Sequence, residues 1–367
     1  MEKRDVVVVG AGPGGSAAAM KCAEYGFSTL LLEKKQLPRD KICTGMIMGP
    51  VAYNLIEQEF GEIPESIFSQ PSRLKGIALH VPDIGSRKLE NVCLLTWRRN
   101  LDYWMNQKAE SQGAELWQDA RVISLQDAGQ GFRVKIKKGT EECEVESEFI
   151  IGADGAGSMV RKFLFPDFKV RYSPIYEEFC SGEFGLEKDY IHWFYPIEHS
   201  PLNFSVHCKD DLIIIDTGGR GKVAIEQMDL AKEFLCKNHG CYINPEPIWR
   251  GGCLTTVLYR ELISKAFLPA KEKALLVGDA AGFPLPISGE GIGTALKSGI
   301  LSASSIKESL DTNSAAGEIY LEQIGNIIKA FGELYPWPKR FREEAQAGGQ
   351  SLPDMLYEAY KNTLITF

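Results

Sequence analysis

The chain of 367 residues lacks several things that would each point to a different kind of protein. No apolar run reaches the roughly 18–20 residues a helix needs to span a bilayer, so no transmembrane segment is expected. Basic residues are outnumbered, 41 Lys and Arg against 49 Asp and Glu, and the net charge is −8. No basic stripe is visible to neutralise phosphates, which argues against nucleic acid as a partner. Histidine is scarce, at five. Nine cysteines occur with no C-x-x-C pair, which reads as reduced thiols rather than a disulfide framework. The nearest approach to a metal pattern is Cys236, His239 and Cys241 in "CKNHGC". It lacks a fourth ligand at a familiar spacing and is read as a polar loop, so no metal is expected. The opening "MEKRDVVVVG" enters a strand too early for a signal peptide, and the cytoplasm is the expected address. No internal repeat is present.

Glycine, by contrast, is abundant, at 36 residues, and it is concentrated where it matters. Four glycines fall within "GAGPGG", directly behind the valine run Val6–Val9. Continuous apolar runs suit strands buried on both faces of a parallel sheet. The run predicts a strand, the alanine-rich stretch Ser16–Tyr25 a helix, and "STLLLEK" (Ser28–Lys34) a second strand, together one β-α-β unit. Gly10, Gly12 and Gly15 satisfy G-x-G-x-x-G: the first permits the tight turn, the second lets a pyrophosphate approach, and the third lets helix and strand pack closely. Pro13 and Gly14 belong to the same cofactor-binding turn, and the free N–H groups and partial positive charge of the helix that follows face the phosphates. Glu33, 18 residues past Gly15, is placed to accept hydrogen bonds from ribose hydroxyls, with Lys34 beside it.

Further along, "GIALHVPD" and "RKLENVCLLT" read as strands, followed by a helix over Asn100–Gln112. "AELWQDARVISLQDAG", "GFRVKIKKG" and "CEVESEFIIGADG" read as a three-strand meander returning to the sheet. Residues from about 166 to 266 alternate and are rich in aromatics, which predicts a mostly antiparallel sheet of their own. Parallel-sheet patterning returns at "KALLVGDAAG", with a helix from Gly289 to about Ser309. The nucleotide-binding domain is therefore expected to be discontinuous, over 1–75, 93–165 and 267–330. A second, substrate domain is expected over 76–92 and 166–266, and a short helical segment over 331–367.

Two late turns choose the dinucleotide. "FIIGADGAGSMVRK" carries Asp154-Gly155 with Ser158 and Arg161 behind them. "ALLVGDAAGFPLPISGEGIGTALKSG" carries Gly278-Asp279, then Pro286, then Gly289-Glu290-Gly291 and Ile292 at a helix start. A nicotinamide dehydrogenase has no use for a late strand-Gly-Asp turn, whereas a cofactor held along its whole length does. The Asp279 carboxylate suits a ribityl hydroxyl, and the helix N-terminus suits the negative charge of a reduced flavin ring. With Gly10–Gly15, "PRDKICTG" (Pro38–Gly45) and "RRNLDYWM" (Arg98–Met105), these segments resemble the geranylgeranyl reductase family, within the flavoproteins shaped like p-hydroxybenzoate hydroxylase.

The resemblance implies a mixed α/β fold: a Rossmann-like, three-layer FAD-binding domain with an inserted, mostly antiparallel β-sheet substrate domain over the flavin face. It implies that Arg98, rather than Arg99, lies near the FAD phosphates, that Asp102 caps or packs, and that Arg39 and Lys41 sit in a loop that holds cofactor or solvent. Val122 completes the expected cofactor-binding set. Cys43 falls where such reductases carry a cysteine beside the flavin, as a proton donor, a cofactor contact or a small buried residue; "CTGMI" departs from the family's glycine-run form. "DYIHWFYPIEH" partly matches a substrate signature of the type Y-x-W-x-F-P, with Trp193 and Tyr195 as substrate contacts or as sheet core. His192, Tyr195, Cys43 and His207 are the candidate proton donors, and Glu290 is read as a helix cap. No second G-x-G-x-x-G exists for NAD(P)H, so NAD(P)H binding at the flavin face and a reduced electron carrier both stay open as electron source.

Three functions follow: reduction of a carbon–carbon double bond of a small, apolar or isoprenoid-like molecule by hydride from reduced flavin; an FAD monooxygenase or halogenase on the same scaffold; and a flavin-binding protein without turnover. "HWFYP" is not the W-x-W-x-I-P expected of a halogenase. Peripheral membrane contact and oligomeric state are left open by "WPKRFREEA" and the rest of the chain.

Overall fold

The computed structural model of the chain describes residues 2–196, 203–312 and 314–364. Its first sheet is built on the valine run. β1 (Glu2–Val9) lies parallel between β2 (Thr29–Leu32) and β9 (Glu141–Gly152), so Val6–Val9 are covered on both faces and buried. The strand order is β17 (Ala270–Lys271), β18 (Ala274–Leu276), β9, β1, β2, β6 (Glu115–Trp117). β7 (Ala120–Asp127) and β8 (Phe132–Lys138) lead into β9 as an antiparallel meander. The expected strand over 114–129 is thus two. β6 extends the parallel sheet from β2, and the chain turns at Asp119, whose φ of 49° is left-handed, into β7.

α1 (Pro13–Glu24) packs against α3 (Arg98–Ser111) and α7 (Ile292–Asp311) on one face of that sheet. The α1–α7 crossing needs glycine on both helices. A Cβ on Gly14 would lie 2.9 Å from the Ala295 carbonyl oxygen, and one on Gly299 would lie 2.2 Å from that of Gly14. α2 (Gly49–Phe60), α4 (Met159–Leu164), α6 (Tyr259–Ile263), α8 (Ala316–Gln323) and α9 (Gly325–Leu334) complete this half.

The second sheet runs β16 (Trp249–Val257), β10 (Arg171–Cys180), β14 (Leu212–Gly218), β13 (Phe204–Lys209), β12 (Tyr190–Phe194), β4 (Phe68–Val81), β5 (Gly85–Thr96), β3 (Met46–Met48). Its pairings are antiparallel apart from β12 with β4. The expected boundaries at 75/76 and 92/93 fall inside β4 and β5, both wholly in this sheet. β4 is interrupted by irregular pairing around Pro71, which makes its first half read as loop in the sequence. α5 (Lys222–His239), absent from the sequence reading, buries Ala224, Met228, Ala231 and Leu235 on the back of the sheet beside the short pair β11 (Gly182–Glu183) and β15 (Tyr242–Ile243). "CKNHGC" is accordingly the end of a helix, closed by Gly240 in the left-handed conformation, rather than a loop. α10 (Trp337–Gln346) leads to α11 (Leu352–Thr363), which packs Leu352, Leu356 and Tyr360 against β4 and β5. No helix among the described residues is long and apolar enough to cross a membrane.

Candidate FAD and substrate cleft

A cleft of about 1100 Å³ opens at the C-terminal ends of β1, β2 and β9 and continues between the two sheets. Crevices beyond these strand ends are where α/β sheets bind ligands. The glycine turn forms one end. Gly10 has a φ of 104°, and a Cβ there would lie 2.4 Å from the Ala153 oxygen; one on Gly15 would lie 1.8 Å from the oxygen of Gly10. A Cβ on Gly12 would meet nothing nearer than the Arg39 guanidinium at 4.0 Å, so backbone is open to the cleft there. Gly12 caps α1 without a side-chain hydrogen bond, and the first turn carries no acid, which leaves its N–H groups for an anion. Gly15 itself does not line the cleft; it only permits the packing.

A buried ion network braces this end. Arg98 donates to both Asp102 oxygens, at 2.7 and 3.0 Å, and Arg39 reaches Asp102 at 3.1 Å and Glu33 at 3.1 Å. Glu33 also accepts from the Ala11 N–H at 3.3 Å. Asn106 donates to the Ala11 carbonyl and accepts from Ser16, so α3 holds the glycine turn as well. Arg98 lines the cleft; Arg99 is exposed and pairs with Asp40. Asp102, expected to cap or pack, is the hub of two arginines, with no exposed surface.

At the middle and far end, Lys34, Lys41, Val122, Asp154, Gly155, Gly278, Asp279, Gly289, Gly291 and Ile292 all line the cleft. Pro286 is buried beside it and does not. The Asp154 and Asp279 turns are locked together by Arg161, which donates to the Ala280 carbonyl at 2.8 Å and to the Ala156 carbonyl. Burial raises the pKa of both aspartates; Lys41, Arg98 and Arg161 oppose this at Asp279. One carboxyl oxygen of Asp154 is buried with no partner among the described residues. α7 starts at Gly291 without a side chain on the cap residue, and Glu290 accepts from the Gly293 N–H at 2.7 Å, as its helix-cap reading expects. Burial pushes the Glu290 carboxyl up to about 7. Between these turns Ile287 sits at a φ of 78°, a conformation β-branched residues rarely adopt, at the cleft wall; its sequence carries no sign of it.

The second sheet and the segment leading to it form the remaining wall. Cys43 lines the cleft within electrostatic reach of Arg98 and Lys209. Trp193 lines it, its indole N–H without a partner among the described residues, beside Met46, Met48, Ile77 and Tyr360. Tyr195 stands behind this wall, its hydroxyl 2.6 Å from that of Tyr360. His192 is turned away. It stacks on His80, with ring nitrogens 3.0 Å from His80 and 2.9 Å from the Glu187 carbonyl, on the face covered by α5. Strand alternation causes this, since residues 192 and 193 must point to opposite faces. His207 is fully buried, with no partner for either nitrogen among the described residues, and burial pushes its pKa down to about 3. Neither histidine reaches the cleft. Sequence reasoning missed Lys209, Glu177 and Asp216, three buried or cleft-facing charges on adjacent strands.

The donor set fits FAD. The free N-terminus of α1, the open backbone at Gly12, and Asp154 and Asp279, the first with one buried carboxyl oxygen unpartnered among the described residues, all line one continuous cleft. Comparison with known proteins agrees. Residues 3–175 match the family described as FAD binding domain. The chain is 25% identical over 356 residues to a digeranylgeranylglycerophospholipid reductase of Thermoplasma acidophilum, covering 90% of this chain and 84% of that one. Among solved structures, a geranylgeranyl bacteriochlorophyll reductase-like protein from the same organism superposes with a TM-score of 0.73 at 20% identity, over 100% of this chain and 89% of that one. The flavin-dependent brominase Bmp2 gives 0.72 at 18%, over 99% and 94%. The chain is an FAD-dependent oxidoreductase, similar in sequence to proteins named as geranylgeranyl-lipid reductases and in fold to flavoproteins shaped like p-hydroxybenzoate hydroxylase.

Proposed function

We propose that this oxidoreductase adds hydrogen across a carbon–carbon double bond of an apolar, isoprenoid-like substrate. The observation that carries the reading is the apolar stretch of wall, Met46, Met48, Ile77, Trp193, Ile287 and Tyr360, that continues the polar cleft past the start of α7. Reduced FAD, when bound, supplies the hydride equivalent. The chain's own part is to position and to exclude water. Arg98, Lys41 and the α1 N-terminus hold the phosphates, and Glu33 and Asp279 are placed for the ribose and ribityl hydroxyls. The glycine turn Gly289–Gly291 before α7 lines the same cleft, with Glu290 holding the Gly293 N–H of the helix start. Cys43 and Trp193 face the substrate, while Tyr195 sets the position of Tyr360. Its reduced cysteines suit the cytoplasm. NAD(P)H at the open face of the cleft and a separate electron-carrier protein are the two sources of electrons consistent with the single glycine turn.

The test is anaerobic. FAD-loaded protein is photoreduced and mixed with a geranylgeranyl phospholipid, and the lipid is then weighed by mass spectrometry. Reoxidation of the flavin with a gain of two hydrogens per double bond supports the reading. No reoxidation until air is admitted, and then an oxygen atom in the product, overturns it in favour of a monooxygenase.

A further inference from the structure

Three neighbouring strands bring Glu177 on β10, Asp216 on β14 and Ser205 on β13 into direct cross-strand register. Directly opposed residues project from the same face of a sheet, and here that face is the cleft wall. Asp216 and Ser205 line the cleft, and Trp193 is next in the row on β12. Glu177 lies behind them with no exposed surface. Ser205 donates to one Asp216 oxygen at 3.0 Å. Among the described residues no N–H or O–H reaches either carboxyl oxygen of Glu177; what faces them is the Asp216 carboxyl.

Two carboxylates cannot both stay ionised in such a place, because each is stripped of water and each repels the other. One proton held between them removes the repulsion and supplies the donor that Glu177 lacks. Burial and the neighbouring carboxyl both raise the pKa of Glu177, and burial raises that of Asp216. The other titratable groups facing the pair are Lys209 on β13, which is 1% exposed, Cys43 from the segment before β3, and Cys253 on β16, whose thiol burial pushes up to about 11. With Lys209 protonated, a pair holding one proton leaves the cluster neutral, the arrangement that burial favours. Lys209 is itself held by the Thr44 carbonyl at 2.7 Å.

We propose that Glu177 and Asp216 share one proton in the cleft wall and that Asp216 hands it to the bound substrate. The recipient rests on the reductase reading above. As a hydride equivalent from reduced FAD, which is left oxidised by two electrons, forms a C–H bond at one alkene carbon, the π bond breaks and its electron pair takes the shared proton at the next carbon. The pair is left doubly ionised and takes one proton back from water.

The test uses the full chain loaded with FAD. Infrared spectra between about pH 6 and 11 are compared for the unaltered protein, E177Q and D216N. A protonated-carboxyl stretch is expected at neutral pH that bleaches only in alkali, is lost in E177Q and bleaches at lower pH in D216N. No such band at neutral pH, or one unchanged in E177Q, overturns the shared proton. Should E177Q fail to fold, a bleaching midpoint that does not move in D216N overturns it instead. In the anaerobic reaction with geranylgeranyl phospholipid, D216N is expected to be slower by about tenfold or more, with a larger solvent deuterium isotope effect. Equal rates overturn the transfer step. If the unaltered protein does not react with the lipid at all, the reductase reading fails while the infrared band still decides the shared proton.

Discussion

Glu290 shows how a single side chain ties the site to pH. Its carboxyl stands at about 7 in the folded chain, against roughly 4.3 in an unfolded one. Between those values the folded state holds more proton than the unfolded state, so stability is fully present below the lower pKa and falls as pH rises through the higher. Glu290 is half-buried and faces the cleft, which scales the effect down to about 1–2 kcal/mol. E290Q keeps an acceptor for the Gly293 N–H but does not titrate. In FAD-free protein its Tm is expected to fall less between about pH 4.5 and 7 than that of the unaltered chain; parallel curves would refute this. At this scale the glycines were the most legible feature, because a turn that admits no Cβ leaves its mark at each position. Glu177 and Asp216 were illegible for the opposite reason. They are 39 positions apart, and only strand register makes them neighbours.

Among the elements, α3 does more than its sequence suggests. Arg98 and Asp102 stand one turn apart, which is readable as an i,i+4 pair. That Arg39 comes from the loop after β2 to share the same carboxylate is not. Removing Asp102 leaves two guanidinium groups in a buried site with one acid, Glu33, between them. D102A is expected to lower stability by about 3–5 kcal/mol and to release FAD, with urea denaturation and absorbance of the bound cofactor as the measures. A loss under about 1 kcal/mol would show the network to be dispensable. The helix α5 and the first half of β4 were missed because an amphipathic helix inside an otherwise alternating stretch, and a strand irregularly paired around Pro71, both break the local period on which reading depends.

Over the whole molecule, the order of glycine and acid turns was enough to anticipate a flavoprotein fold, while the closing of the cleft by the C-terminal helix was not. α11 brings Tyr360 from the end of the chain to meet Tyr195 and Trp193. Y360F leaves the Tyr195 hydroxyl without this partner, and a loss of about 1 kcal/mol is expected by thermal unfolding. An unchanged or raised Tm would show that water already serves both hydroxyls.

The segment after β2 crosses from one sheet to the other within a dozen residues. Its start touches Glu33 and Asp102 through Arg39, and its end is fastened to the second sheet through Lys209 and Thr96. A single strap therefore spans both ends of the cleft, so a substitution in it bears on the nucleotide end and on the substrate wall alike.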